Sequence, residues 1–243
     1  VEHRRGRDLQ PHRRRGLSGR QRRRLGERRG HAGEKRGRGQ LRLRNLAEVN
    51  QYCFFVAGLV GDLLTELVSQ RWPALPKSGL LRRDAHHFGL FLQKVNLLKD
   101  QLKDEKEGRF LVHSRKEVLA SLAKDAEGAI RYLQALPLAE KGFRLFCAWS
   151  LFLGLASLPW IEKSSILGAL RKIPRSVTEL LLGRVEKLID DNQALLRLFR
   201  EMMPKLPAPA EAAVGRGEIP WMREVYEGSL TGDDFAALGM RPA

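Results

Sequence analysis

The clearest periodic pattern in the chain lies in residues 88–109, where apolar and polar positions fall on different faces of a helix. This segment contains no proline and no glycine between Gly89 and Gly108, so the pattern predicts one helix of about five turns. Its apolar face consists of Phe88, Phe91, Leu92, Val95, Leu98 and Leu102.

A second line of the same helix carries side chains with oxygen atoms, namely Gln93, Asn96, Asp100 and Asp104. Their spacing of three, four and four residues stacks them in one column. Mg²⁺ takes oxygen ligands of this kind and usually shares them with substrate phosphates, and the flanking Lys99 and Arg109 could pair with the same phosphates. The spacing is also typical of the solvated side of an amphipathic helix, so both interpretations stay open at this point.

Upstream, residues 45–70 predict another helix. Asn45 is a plausible N-cap, and Glu48 follows at capping-box spacing. The apolar run from Tyr52 to Leu64 is 13 residues long, which is too short to span a bilayer.

Downstream, residues 114–136 predict an amphipathic helix, and residues 143–161 are the most hydrophobic part of the chain. In the latter, 17 consecutive residues carry no charge, which is the lower limit for a transmembrane helix. Gly154 and Pro159, and the lack of flanking basic loops, favour a buried core helix instead. Residues 164–200 are helical in pattern on both sides of a proline, and no strand-like alternation occurs, so the chain predicts an all-α bundle.

At 243 residues, the chain is long enough for one domain of ordinary size with a tail. A net charge of +16 is typical of a nucleic-acid-binding protein, but the charge is not evenly distributed along this chain. Residues 1–44 contain 16 Arg and one Lys against four acidic residues. The remainder is therefore nearly balanced in charge, and the basic character belongs to the N-terminal segment.

Residues 1–44 are rich in Arg and Gly and contain no Ile, Phe, Tyr, Trp or Met. This composition predicts a disordered segment, because it cannot bury enough apolar surface to become ordered. Three interpretations stay open: an arm that contacts RNA or membrane phosphates, a transit peptide, or GC-rich coding DNA translated in the wrong frame.

Cysteine and histidine give no sign of a metal site. Cys53 and Cys147 lie far apart in apolar helical segments, which indicates a reduced, cytoplasmic protein without a disulfide or a zinc site. The pair His86-His87 lacks the spacing of a helical metal site, and we interpret it as a surface feature near the N-terminal end of its helix.

Two segments carry a family resemblance. Residues 52–61 read YCFFVAGLVG, and residues 93–109 follow the pattern Q-x-x-N-x-x-(R/K)-D-x-x-x-D and then G-R. Both resemble the squalene and phytoene synthase family, which joins two prenyl diphosphates head to head. The first segment matches the family signature Y-C-x-(Y/F)-V-A-G-x-V-G at every defined position, and Lys94 after Gln93 is more similar to the squalene synthases. Weaker resemblance continues to about residue 200, at Phe146-Cys147-Ala148 and at residues 172–175.

The resemblance implies a fold and a role for individual residues. The fold would be the all-α isoprenoid synthase bundle, with antiparallel helices around an apolar pocket. The metal ligands would be Asn96, Asp100 and Asp104. The diphosphate would be bound by Gln93, Lys99 and Arg109, and Tyr52 would handle a proton. The pocket would be lined by Val56, Leu59, Phe91, Phe146 and Phe152, and the basic residues Lys172 and Arg175 correspond to a segment associated with NADPH in squalene synthases.

The implied activity is a Mg²⁺-dependent condensation of two prenyl diphosphates, with farnesyl diphosphate favoured, through a cyclopropyl intermediate to squalene or a related C30 or C40 product. The implied protein is a cytoplasmic monomer without a specific nucleic-acid partner, and peripheral contact with a membrane stays an open alternative. The sequence does not decide between C15 and C20 substrates, or whether NADPH is used.

One departure from the family pattern is serious. Family enzymes carry a first D-x-x-x-D motif upstream of the tyrosine segment, and residues 1–44 contain Asp8 as their only Asp. The resemblance starts near Leu43, which favours the wrong-frame interpretation of residues 1–44. We therefore expect a partial synthase domain at 45–204 that lacks its N-terminal helices, followed by a tail of unknown role at 205–243. The alternative is an inactive family remnant whose basic arm binds nucleic acid or an anionic membrane.

Overall fold

Helix α3 is the element around which the others pack. The structure is a computed structural model that describes residues 41–73, 75, 79–169 and 171–208. In chain order the elements are β1 (Leu41–Arg42), α1 (Leu46–Cys53), a π-helical turn (Phe54–Gly58), α2 (Leu59–Arg71), α3 (Gly79–Lys106), β2 (Arg109–Phe110), α4 (Arg115–Ala135), α5 (Lys141–Leu167), α6 (Arg175–Leu188) and α7 (Asn192–Met202). Apart from one pair of two-residue strands, the regular elements of this part are helices, which confirms the all-α prediction.

Glycines allow α3 to approach the first helices closely. A Cβ atom on Gly89 would lie 2.4 Å from the carbonyl oxygen of Ala57, and one on Gly61 would lie 2.4 Å from that of Ala85. Only hydrogen atoms fit at such contacts, so the backbones of α3 and of the α1–α2 segment touch directly. The close approach explains the small residues of the VAGLVG segment.

The hydrophobic core lies between α3, α4 and α5. Phe91 of α3 and Phe152 of α5 are both fully buried, and the ring of Phe91 packs against Gly154. Cys53 and Cys147 are buried, unpaired thiols. Burial raises the pKa of each thiol to about 12, and no disulfide joins these two cysteines, as the sequence predicts.

Some buried side chains are charged. Arg144 of α5 is fully buried, and its guanidinium donates hydrogen bonds to the backbone carbonyls of Leu133, Leu136 and Ile189. These carbonyls lie at the C-terminal ends of α4 and α6, where helices have no internal donor for them. Arg144 therefore joins three helices at one end of the bundle.

The ordered part of the fold begins earlier than residue 45. Leu41 and Arg42 pair in parallel with Arg109 and Phe110, and Leu43 is buried. The described fold therefore includes residues 41–44, which sequence analysis assigned to the N-terminal segment, because backbone pairing between distant segments leaves no local sequence pattern. The domain boundaries stay a prediction. Residues 1–40 and 209–243, which hold most of the predicted arm and tail, lie outside the described residues.

The helix ends differ in detail from the predicted ones. The side chain of Asn45 accepts a hydrogen bond from the Glu48 backbone N–H, which confirms the N-cap. The Glu48 carboxylate, however, accepts from the backbone N–H of Arg44 rather than closing a capping box on Asn45. Helix α3 begins at Gly79, nine residues before the predicted start, so the histidine pair lies inside the helix.

Two helical stretches of the described part, Leu46–Arg71 and α5, are long and apolar enough to cross a membrane, judged by length and composition alone. The 13-residue run from Tyr52 to Leu64 thus belongs to a longer apolar helix. Core helices of soluble proteins meet the same criterion, so it does not decide between the two interpretations.

Candidate functional site

The predicted oxygen-bearing side chains, which we call the α3 column, line the C-terminal half of α3. Gln93 and Asp100 are half-buried and Asn96 is exposed, whereas Asp104 is buried. The column therefore runs from an accessible middle to a buried end near the C-terminus of the helix. An ordinary solvated helix face would not bury its last carboxylate.

Arg109 contacts this buried end. Its Nη2 atom lies 2.5 Å from Oδ1 of Asp104 and 2.7 Å from Oε2 of Glu107. Gly108 adopts φ +78°, a left-handed conformation that glycine adopts without strain, and it reverses the chain after α3 so that Arg109 returns to the helix. The hydrogen bond to Asp104 is the main cause of the raised pKa of Arg109.

Lys99 contacts the middle of the column. Its Nζ donates to Oδ1 of Asn96 at 3.0 Å and lies 3.7 Å from Oδ2 of Asp100. Each of the three predicted metal ligands therefore has one of the two predicted diphosphate-binding cations beside it. Gln93 is on the same column but makes no hydrogen bond through its side chain within the described residues.

Tyr52 belongs to the same neighbourhood. Burial is the largest cause of its raised pKa, followed by the charges of Cys53 and Asp104, and Arg109 acts in the opposite direction. The phenol thus lies within electrostatic reach of the Asp104–Arg109 pair, although it is some fifty residues away in the chain. We call the group formed by Tyr52, Asp104 and Arg109 the mouth.

The chain directly after Tyr52 forms the π-helical turn Phe54–Gly58. Single π-helical turns inside α-helices occur frequently at functional sites. Sequence analysis did not find this turn, because no residue pattern distinguishes it from ordinary helix.

From the mouth, apolar side chains continue along the π-helical turn and α2. Large hydrophobic residues recur at spacings of four, three and four, which places them on one helix face. Their exposed fractions are 45% for Val56, 48% for Val60, 60% for Leu63 and 54% for Leu67. We call these four residues the apolar stripe.

The structure separates the five predicted pocket residues. Val56 belongs to the apolar stripe and Leu59 is half-buried, and a pocket role for both stays a prediction. Phe91 and Phe152 fill the core and so do not face an open space, whereas Phe146 is 50% exposed. The helical pattern identified these residues as apolar, but it could not show which of them pack against other helices.

The predicted cofactor residues lie elsewhere. Lys172 and Arg175 are exposed at the start of α6, and Arg175 pairs with Glu179. Within the described residues, no hydrogen bond or ion pair joins them to α3.

A buried charged cluster between α3 and α4 was missed by sequence analysis. Oδ1 of Asp125 lies 2.9 Å from Nδ1 of His87, and Oδ2 lies 2.5 Å from Nζ of Lys94. His86 is also buried and lies 2.7 Å from Oδ2 of Asp62. The interpretation of His86-His87 as a surface feature is therefore wrong, and the reason is the earlier start of α3.

The α3 column fits one side of a Mg²⁺ site. The carboxylates of Asp100 and Asp104 and the carboxamide of Asn96 offer oxygen ligands, as Mg²⁺ prefers, and substrate phosphates and water usually complete its shell. In the described part of the chain, no group of three or more His, Cys, Asp or Glu side chains is placed to hold a metal ion. Mg²⁺ binding by the column stays a prediction.

Comparison with known proteins gives matches to the segment that carries these residues. The sequence profile "Squalene/phytoene synthase" matches residues 33–112, which include Tyr52, the α3 column and Arg109. This match confirms the resemblance of that part of the chain to the squalene/phytoene synthase family. The match begins ten residues before the predicted start of the resemblance, and it ends before α4, so the weaker motifs at residues 146–148 and 172–175 lie outside it.

Individual relatives are squalene synthases. The chain is 40% identical over 73 residues to the squalene synthase of Mycosarcoma maydis, which is 30% of this chain and 13% of that protein. It is 41% identical over 68 residues to the enzyme of Bos taurus, covering 28% of this chain and 16% of that protein. For Rattus norvegicus the identity is 45% over 60 residues, 25% of this chain and 14% of that protein. The chain thus matches only a small part of the length of these relatives.

Proposed function

We propose that the mouth and the α3 column bind the diphosphate of a prenyl substrate, farnesyl diphosphate in the first instance, for head-to-head condensation. The observation that carries the proposal is the meeting of two distant motifs, since Tyr52 lies within electrostatic reach of Asp104 and Arg109. The apolar stripe begins beside the same tyrosine. The diphosphate of a substrate would therefore bind at the mouth, and its prenyl chain would lie on the adjacent apolar stripe.

Binding of the diphosphate uses the cations of the site. Lys99 and Arg109 already contact column oxygens, and phosphate oxygens would compete with those carboxylates and amides for the same N–H groups. Asn96, Asp100 and Asp104 would hold Mg²⁺, which when bound neutralises the departing diphosphate and so stabilises the transition state for ionisation.

Departure of the diphosphate leaves an allylic cation. The double bond of the second prenyl chain supplies the electron pair for the new C–C bond, and the C–H bond beside the new cation then breaks to close a cyclopropane ring. The raised pKa of Tyr52 keeps its phenol protonated at neutral pH. The phenol oxygen therefore accepts the released proton as a neutral group and passes its own proton to the diphosphate. The apolar stripe would keep water from the cations.

The residues that the family resemblance relates to NADPH, Lys172 and Arg175, are not used in the proposed reaction. Lys172 and Arg175 are two exposed cations at a corner of the fold, and a nucleotide site needs a concave wall as well as phosphate ligands. We assign no step of the condensation to these residues.

The test measures binding of farnesyl thiolodiphosphate, an unreactive analogue, to the full chain by titration calorimetry. We expect binding to require Mg²⁺, and Asp100→Asn and Asp104→Asn each to weaken it on the order of tenfold or more, because each removes a charged ligand of the bound metal. Asp190→Asn is the control, since Asp190 is an exposed carboxylate paired with Lys141 far along the chain. Equal affinity with and without Mg²⁺, or in both column variants, would refute the metal assignment.

A further inference from the structure

The corner between α5 and α6 exposes large apolar side chains. Ile166 is 77% exposed and Leu180 is 76% exposed, the highest values among the large hydrophobic residues that the structure describes. Leu167 and Val177 are 58% and 42% exposed, and Val177 and Leu180 share one face of α6 by their spacing of three. We call these four residues the corner patch.

The corner is held in place by hydrogen bonds. The Ser164 hydroxyl accepts from the backbone N–H of Arg171 at 2.7 Å and donates to the carbonyl of Trp160 at 2.8 Å. Gly168 reverses the chain with φ +63°. The indole of Trp149 on α5 donates to the carbonyl of Leu182 on α6. Because these hydrogen bonds fix the backbone of the corner, Ile166 and Leu167 stay exposed to solvent and do not pack on the core.

Basic residues outnumber acidic ones in the segment that carries the corner patch. Residues 159–180 contain four basic residues and two acidic ones, and one of the acidic residues, Glu179, is already paired with Arg175. Arg171 and Lys172 are exposed and form no ion pair with any described residue. Nζ of Lys163 lies 4.7 Å from the ring centroid of Trp160, so a tryptophan and a lysine stand together at the edge of the patch.

We propose that the corner patch docks the protein on an anionic membrane surface. Apolar side chains that enter the boundary between head groups and acyl chains, with Lys and Arg beside them and Trp at the interface, are the pattern of peripheral membrane binding. Unpaired cations beside the patch would contact anionic head groups. A protein partner is disfavoured, because four side chains fall short of the roughly 800 Å² per partner of a stable interface and Lys is depleted in such interfaces.

This docking surface does not depend on the proposed reaction, because it contains none of the residues of the mouth or the α3 column. Docking would bring the C-terminal end of α5 to the membrane, in which apolar prenyl substrates dissolve. Other turns of the same helix reach the core. Its test can therefore succeed or fail separately from the test of diphosphate binding.

The test compares two double variants of the full chain by sedimentation with vesicles of phosphatidylcholine containing phosphatidylglycerol. Ile166→Gln/Leu180→Gln removes two apolar side chains from the corner patch. Leu80→Gln/Leu138→Gln makes the same change at two other exposed leucines. We expect the partition coefficient to fall about tenfold in the first variant and to change less than about twofold in the second, given the transfer free energy of partly buried aliphatic side chains.

The comparison also controls for the Arg-rich residues 1–44, which are identical in both variants and attract anionic lipid by charge alone. An equal loss of binding in both double variants would overturn the proposal, as would unchanged binding in the corner variant. A dimer in lipid-free solution that the corner variant alone dissociates would also overturn it, since the patch would then join two copies of this chain. Both variants keep their net charge, and their circular dichroism checks that each is folded.

Discussion

Asp125 holds two basic side chains at once in the interior of the bundle. Its carboxylate is almost fully buried and contacts His87 and Lys94 of α3. Burial by itself raises the pKa of this carboxyl, but the charge of Lys94 and the hydrogen bond from His87 outweigh it, so that the pKa is lowered. Asp125 therefore stays ionised and neutralises Lys94 inside the fold.

The variant Asp125→Asn would leave Lys94 buried without a counter-charge. We expect the free energy of unfolding to fall by about 3–5 kcal/mol, as when one partner of a buried ion pair is removed. Urea denaturation at neutral pH measures the change, with the exposed pair variant Asp190→Asn as a control that should stay close to the unmodified chain. A loss in Asp125→Asn no larger than that of the control would contradict the ionised assignment.

The same carboxylate predicts a dependence on pH. Because its folded-state pKa is lowered, its stabilisation is complete above the unfolded-state value of about 3.9 and is lost as the pH falls through the folded-state pKa. Acidification below about pH 4 should therefore destabilise the unmodified chain more than Asp125→Asn. The measurement is the urea midpoint of both proteins along a series of acidic buffers.

The two thiols should be unreactive in the folded protein. Burial raises the pKa of Cys53 and Cys147 to about 12, and the thiolate is the reactive species. We expect Ellman's reagent at mildly alkaline pH to modify neither cysteine within the time in which it fully modifies both in denaturant. Rapid modification of one of them in buffer would show that its helix opens.

At the scale of single elements, the fold depends on the direct contact of α3 with the α1–α2 segment. Gly89 lies against the backbone of Ala57, inside the π-helical turn that follows Tyr52. The position of Tyr52 relative to Asp104 thus depends on how closely two helices approach. Helix α3 and the tyrosine segment each need a glycine, Gly89 and Gly61, for the same reason.

Gly89→Ala tests this dependence. Its new methyl group would require the backbones to separate, and we expect a loss of about 1–3 kcal/mol in unfolding free energy, the usual effect of overpacking. Gly183→Ala on α6 is the matched control, since nothing lies within 4 Å of its added Cβ atom. The control should gain up to about 1 kcal/mol from the better helix propensity of Ala. A gain in both variants would show that α3 and α1–α2 do not touch as described.

What the sequence could predict at this scale follows from local periodicity. The column of Asn96, Asp100 and Asp104 is fixed by spacing within one helix, and the structure shows its members with Lys99 and Arg109 beside them. The burial of Phe91 and Phe152 could not be predicted in this way, because it depends on which neighbouring helix each residue faces. The same applies to the burial of Lys94.

At the scale of the whole molecule, the family match and the fold have different extents. The profile match ends at residue 112, whereas the core also takes residues from α4, α5, α6 and α7. Helices beyond the match therefore complete the hydrophobic core around the matched ones. Their sequence predicted helices correctly, but only the structure shows how they enclose α3.

The short parallel pairing of β1 with β2 has a mechanical consequence. Leu41 and Arg42 lie beside Arg109 and Phe110, and the backbone N–H of Leu43 donates to the carbonyl of Phe110. These few hydrogen bonds attach the beginning of the described chain to the strand that carries Arg109. They close a segment of backbone that contains α1, α2 and α3. If the pairing at residue 41 opens, Arg109 loses the strand beside it, and this is the arginine that contacts Asp104. The β1–β2 pairing and the mouth should therefore open together.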